Sequence, residues 1–382
     1  MLSISLPQNR AYRIAVSTFF FLAGFSFASW ASRIPDIKMR LGLSDGAFGS
    51  VLFALPVGLM AGLPLSGWLV SKFGSRQIVI LAALFYPLTL TMIGLVATTW
   101  QLVAVLFIFG LWANLFNISV NTQAVGVEAL YGRSIMASFH GVWSVAGFSA
   151  ATIGTFFISA GFSVFTHFCI ICAASVCTVI AAYKYALPQD VKSNEATPIF
   201  AVPDAALLKL GVIAFCCMVS EGTMFDWSGI YFQNVVAVPK SLTTLGYVAF
   251  MSTMAGGRFA GDWLANKLGK KRMLQVSGIV IAAGLLTAVL FPYIVPATIG
   301  FLLVGMGVSS VVPLVYGEAG KSTTMSPGVA LAAVSTIGFL GFLVGPPLIG
   351  FIAQAASLRW SFTLIAVLGF CTTILASKVK MK

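Results

Sequence analysis

Apolar residues run along this chain in long blocks, and polar residues collect in the short gaps between them. The blocks predict helices at about 11–33, 46–71, 77–97, 101–129, 135–160, 162–187, 206–234, 242–266, 272–291, 296–318, 327–353 and 358–378. Each is close to the roughly 20 residues an α-helix needs to cross the hydrocarbon layer. The longest polar gap, Pro188 to Asp204, divides them into six and six. The expected organisation is an N-terminal half, 1–187, a linker, 188–205, and a C-terminal half, 206–382. The first block ends in ASWAS, which resembles a signal-peptide cleavage site. Eleven further blocks follow, so a retained first helix is expected.

Composition removes the soluble alternative. The 382 residues are 59% hydrophobic and 8% charged, against about 25% charged in a soluble domain. The expected class is an all-α membrane protein with 12 transmembrane helices. The net charge of +12 does not indicate nucleic acid, because the basic residues sit in the gaps rather than on one polar face. With an even number of spans, sixteen Lys and Arg fall on one side, five on the other, and Arg258 lies inside a helix, which accounts for all 22. The positive-inside rule then puts both termini and the long loop in the cytoplasm of a bacterial-type inner membrane. The six cysteines all lie inside apolar blocks, where buried free thiols are expected. No phosphate-binding G-x-x-x-x-G-K-[ST], metal-ligand cluster or nucleophile–base arrangement stands out. An enzyme, a cofactor and ATP drive are therefore not expected.

The chain repeats itself. GWLVSKFGSR at 67–76 returns 195 positions later as DWLANKLGKK at 262–271, and Gly110 maps at the same offset onto Gly305. Two six-helix halves related this way indicate a parallel repeat with a solute path near the bilayer midplane.

These stretches resemble the major facilitator superfamily, whose signature after helix 2 is G-x-x-x-D-[RK]-x-G-[RK]-[RK]. Here Gly67, Ser71, Lys72, Gly74 and Arg76 carry it, with a second copy at Asn266, Lys267 and Gly269. The family's acid is replaced by Ser71 and Asn266. The resemblance gives that acid a role in latching helix 2 to helix 11, so a weaker inner latch is expected, or one carried by Glu128 with Arg133. FASWASRIPDI, FHGVWS, EGTMFDWS, GGRFAGDW and GFLVGPPLIG resemble a narrower group, the YbjJ-like inner-membrane permeases near the fucose–proton symporter branch. The resemblance implies two pseudo-symmetric halves, a small-molecule substrate, a monomer in a lipid bilayer, and a cavity lined by helices 1, 4, 7 and 10.

Polar side chains in hydrocarbon are costly and should face a cavity or one another. Asn114, Asn117, Asn121 and Glu128 share one face of helix 4. The amides suit a hydroxylated solute, or they bind helices together. Helix 1 offers Ser26, Ser29, Trp30 and Arg33, and helix 10 offers Ser309, Pro313 and Tyr316. Helix 7 offers Glu221, Phe225, Asp226, Trp227 and Ser228. Trp30 and Trp227 either stack on a sugar face or anchor at the interface. Glu221 lies about 22 Å into helix 7 at 1.5 Å per residue, near mid-membrane. It is the expected proton-coupling carboxyl or, alternatively, a permanent ion-pair partner, with Asp226 as a second acid. Sodium ranks below the proton. An Arg33–Asp226 bridge is expected at the outer gate, and Arg258 with Asp262 forms an i, i+4 pair or Arg258 binds an anionic solute. His140 is read as titrating near neutral pH or bonding between helices, and His167 as peripheral. The resulting expectation is proton-coupled uptake of a small polar, sugar-like solute. Efflux of an amphipathic compound is the alternative, and a transporter-fold sensor the third reading.

Overall fold

The computed structural model describes residues 8–132, 135–190 and 203–379. Among these residues the regular structure is helical, with no strand. In chain order the α-helices are α1 (Gln8–Ser32), α2 (Ile34–Arg40), α3 (Asp45–Leu52), α4 (Ala54–Phe73), α5 (Ser75–Leu95), α6 (Thr99–Tyr131), α7 (Met136–Ser159) and α8 (Val164–Ala182). They continue as α9 (Ala205–Asn234), α10 (Leu245–Leu268), α11 (Lys270–Leu290), α12 (Ile294–Val308), α13 (Val311–Ala319), α14 (Pro327–Ala355) and α15 (Leu358–Lys378). Eleven spans are long and apolar enough to cross a membrane, counting α3 with α4 and α12 with α13 as single spans. The helix α10 has the length, 24 residues, but carries Arg258, Asp262 and Lys267.

Two expected helices are each divided in two. The second span breaks between Leu52 and Ala54, and the tenth between Val308 and Val311. Pro56 and Pro313 explain the positions. A proline donates no N–H and its ring crowds the carbonyl four residues back, here Leu52 and Ser309. Apolar periodicity runs through both breaks, so the blocks alone do not reveal them. The short helix α2, between the first two spans, was also not expected.

The chain forms two compact units. Unit 1 comprises Met1–Ile37 and Ala54–Ser193, and unit 2 comprises Lys38–Phe53 and Asn194–Lys382. In unit 1, α4 packs on α6, α1 on α7, and α5 on α6 and α8. In unit 2, α10 packs on α12, α9 on α14, and α11 on α12 and α15. The segment before the break at Phe53 belongs to unit 2 because α3 lies along α14. There the Gln354 Oε1 atom accepts hydrogen bonds from Gly46 N and Ser44 Oγ, both at 2.9 Å.

The offset of 195 holds contact by contact. Gly110 lies against the Leu55 carbonyl, and Gly305 against that of Phe250. Gly62 abuts Asn114 as Gly257 abuts Ser309. A side chain at any of these glycines would collide with the facing helix. The repeated turns match as well. Gly74 has φ 83° and ψ 149°, and Gly269 has φ 81° and ψ 144°, a backbone region open essentially to glycine alone.

Candidate functional site

Glu221 sits midway along α9, with only 7% of its surface exposed. A bare carboxylate in such surroundings would be expensive. Its partner comes from the next span: Arg258 Nη2 on α10 donates to Glu221 Oε1 at 3.3 Å. The expected i, i+4 pairing of Arg258 is therefore not its only option, and the acid it meets lies 37 residues away. The side chain of Asp262 lies outside the description. The Tyr316 hydroxyl, on α13, and the Cys217 thiol, one turn before Glu221 on α9, are within electrostatic reach of this carboxyl. The Tyr316 oxygen is buried without a hydrogen-bond partner, as is Ser228 Oγ one turn beyond Phe225. Unit 2 thus holds an ion pair near the Tyr316 hydroxyl, whose bonding capacity is unused. Asp226, five residues beyond Glu221, is part-buried on the same helix.

In unit 1 the amide stripe splits. Asn114 is buried and accepts from Ser66 Oγ at 2.7 Å, so it joins α4 to α6. Asn117 is exposed, and Asn121 is half-buried and donates back to the Asn117 carbonyl at 2.8 Å. Of the expected cavity amides, Asn114 acts between helices and the other two keep free capacity. Ser29 is buried and bonds the Phe25 carbonyl of its own helix. Trp30 and Trp227 are both fully covered, and Phe48 packs edge-on against Trp227, with ring centroids 5.8 Å apart. Neither indole presents an open face for stacking, and neither Nε1 has a hydrogen-bond partner. Both are core side chains here rather than a stacking platform.

Arg33 is engaged inside unit 1. Its Nε donates to His167 Nδ1 at 3.0 Å, Nη1 to Asp36 at 2.9 Å and Nη2 to the Phe162 carbonyl at 3.0 Å. These three bonds, not a bridge to Asp226, hold the guanidinium in this structure. They fit the geometry of a planar fork whose nearest acid is only three residues away. They also move His167 from a peripheral position into a buried polar cluster.

Glu128 caps a helix. Its Oε2 accepts from Ile135 N at 2.7 Å and Met136 N at 2.8 Å, satisfying N–H groups at the start of α7 and placing negative charge at the helix's positive end. Arg133, its expected partner, lies outside the described residues. Ser71 bonds the Trp68 carbonyl of its own helix at 2.9 Å. Lys72 lies over the Trp68 ring at 4.8 Å and Lys267 over Trp263 at 5.2 Å, a second pairing kept by the repeat.

The sequence reading missed a carboxylate at the turn after Gly74. Asp190 accepts from Ser75 N at 2.7 Å and also from Ser75 Oγ, at the start of α5. Gln123 donates to the same hydroxyl at 2.7 Å. Position 71 lacks an acid, yet the turn has one, brought by chain 115 residues further on. The corresponding turn in unit 2 pairs Lys270 with Glu318 at 3.5 Å, and Lys321 joins at 3.1 Å.

Comparison with known proteins supplies the rest. The family described as Major Facilitator Superfamily matches residues 14–326. An uncharacterised MFS-type transporter of Yersinia pestis is 33% identical over 363 residues, covering 95% of this chain and 93% of that one. Membrane protein MosC of Rhizobium meliloti is 31% identical over 367 residues, covering 95% and 89%. Among solved structures, a bacterial homologue of the human lysosomal transporter Spinster, inward-facing and occupied, superposes with a TM-score of 0.79 at 15% identity, covering 98% of each chain. That likeness concerns the fold.

Proposed function

The chain belongs to the major facilitator superfamily and is a multi-pass membrane transporter, and on that premise we propose that it imports a small polar, sugar-like solute together with protons. Both termini face the cytoplasm of a bacterial inner membrane in this reading. The observation that carries the coupling is the pairing of buried Glu221 with part-buried Arg258 on two adjacent spans of one unit.

The pair is a two-state element. With Glu221 ionised, the charges neutralise each other and the arrangement is tolerable in a low-dielectric interior. A proton on Glu221 removes this attraction and frees the Arg258 Nη2 donor for another acceptor. A solute hydroxyl or the Tyr316 oxygen supplies one. Proton loading and solute loading are then linked through one guanidinium, which is what symport requires. Asp226 provides a second carboxyl on the same helix, and Asn117 and Asn121 offer amides to solute hydroxyls. Arg33, held by His167 and Asp36, is the outer gating element, and the Gly74 and Gly269 turns are the cytoplasmic ones. A monomer suffices, and sodium ranks below the proton.

The test is reconstitution into liposomes with external pH followed while pools of sugars, sugar acids, amino acids and nucleosides are added. Solute-dependent alkalinisation that disappears in Glu221→Gln supports the reading. Labelled solute entering with an unmoved pH trace would replace it with a uniporter. If no solute enters and preloaded solute leaves, the direction is export.

A further inference from the structure

A second feature lies wholly within unit 1. A cavity of about 720 Å³ opens beside the start of α1 and is lined by Arg10, Arg13, Ser17, Thr18, Phe21 and Tyr131, among others. Small-molecule sites commonly occupy roughly 300–1,000 Å³. The lining is ordered along one helix face. Arg10, Arg13, Ser17 and Phe21 follow at spacings of three and four residues, so two cations, a hydroxyl and an aromatic ring share one face of α1 in that order. From Arg10 to Phe21 the face is about 16 Å long at 1.5 Å per residue.

The two arginines are not used up by the protein. Among the described residues no acid lines the cavity, and neither Arg10 nor Arg13 forms an ion pair. Arg13 is part-buried, lies over the Tyr131 ring at 5.4 Å, and has a long hydrogen bond of 3.4 Å to Ser138 Oγ. Tyr131 is itself tied to the Asn9 carbonyl at 3.4 Å, so the ring and the guanidinium form one wall. Such an arginine retains most of its five donors in the fork geometry that matches a carboxylate.

We propose that this cavity binds the carboxylate of a small organic anion, with Arg10 and Arg13 on the oxygens and the Tyr131 ring, over which Arg13 lies, on its apolar body. The inference rests on the transporter reading and adds an anionic group to the solute class. Lipid headgroup phosphate shares the charge, and the phosphatidylglycerol arm of the test separates the two sources.

The test uses the full chain in nanodiscs of zwitterionic lipid, with benzoate as probe and uncharged benzamide as control, read by isothermal titration. Benzoate is expected to bind and benzamide is not. Arg13→Gln should weaken benzoate about ten- to a hundredfold, the range for one charge-assisted hydrogen bond. Arg10→Gln, at an exposed position, should weaken it in the same direction and carries the test if Arg13→Gln fails to fold. Equal binding of benzamide, or unchanged affinity in both variants, would overturn the proposal. So would loss of benzoate binding in discs containing phosphatidylglycerol with that lipid retained on the purified protein, which would assign the cavity to a headgroup. Binding is read without a proton gradient. A protein that binds benzoate yet moves no protons sinks only the coupling reading, and one that moves protons but ignores benzoate sinks only this one.

Discussion

The two units share their close approaches and differ in their charges. Gly110 and Gly305 bring the same pairs of helices together, and Gly74 and Gly269 make the same turn. Yet 195 positions before Glu221 stands Ser26, and 195 before Arg258 stands Leu63. The Glu221–Arg258 pair therefore has no counterpart at these positions in unit 1, whose own buried ion pair joins Arg33 to Asp36. Unit 1 carries its buried cation elsewhere, at Arg33, where the matching position in unit 2 is Ser228. At the two repeated turns the carboxylate changes partners. It comes from Asp190 to a serine in unit 1 and from Glu318 to lysines in unit 2. Steric requirements of helix packing were kept in both copies, because any added atom there meets backbone. Charges are restrained only by the need for a partner, so they could move.

The largest effect that tests this asymmetry is on transport. Glu221→Gln should abolish solute-dependent proton uptake, whereas Ser26→Ala at the matching place should leave it intact. Stability separates them too. Arg258→Gln leaves a buried carboxylate uncompensated, which costs about 3–5 kcal/mol for fully buried pairs. The lower end applies, since Arg258 is 21% exposed, and thermal unfolding in detergent measures it. Ser26→Ala should fall within about 0.5 kcal/mol, because its hydroxyl is buried without a partner.

The next effect should be equal in both units. Gly74→Ala and Gly269→Ala each place a Cβ in backbone space reserved for glycine, at about 1–3 kcal/mol. A large difference between the two melting shifts would break the equivalence of the turns. Smaller again is Ser66→Ala, which removes the hydroxyl on Asn114 and should cost about 0.6–1 kcal/mol. Ser309→Ala, at the position matching Asn114, removes a bond within its own helix and should cost less.

The smallest expected effect is a pH dependence confined to unit 2. Asp204 caps α9, and its carboxylate accepts from Leu207 N, from Thr324 Oγ1 at 2.7 Å and from Ala206 N. These bonds hold its pKa below the ordinary aspartate value. A depressed folded-state pKa means the contribution is present above the unfolded value, about 3.9, and is lost as pH falls through the folded one. Melting curves between about pH 3 and 6 should show a slight slope that Asp204→Asn removes.

Much of the architecture was readable because membrane spans and glycine turns leave local marks. The blocks placed the spans, and the 195-residue offset pointed to equivalent contacts. Glu221 was readable as a carboxyl at depth. Its partner was not, since Arg258 has an acid four residues on in the same helix and only packing decides between them. The partners of Arg33 were hidden for a similar reason, as His167 and the Phe162 carbonyl are 134 and 129 residues away. Asp190 sits beyond the last apolar block of its half and looked like loop. The fully covered Trp30 and Trp227 show that an aromatic next to a polar stripe says nothing by itself about which way the ring faces.

The polarity of α10 has a consequence for biogenesis. An arginine near the middle of a span raises the free energy of leaving the translocon by about 2.5–3.5 kcal/mol, and α10 carries Arg258 with little apolar excess to offset it. Synthesis runs from the N-terminus, so α9 and its Glu221 have emerged before Arg258 arrives. The earlier helix can act as an intramolecular receptor for the later one, and the two spans would enter the lipid as a hairpin. Replacing Glu221 by an apolar residue would remove that receptor and show first as an uninserted segment during translation, whereas Glu221→Gln keeps a polar side chain for Arg258 to meet.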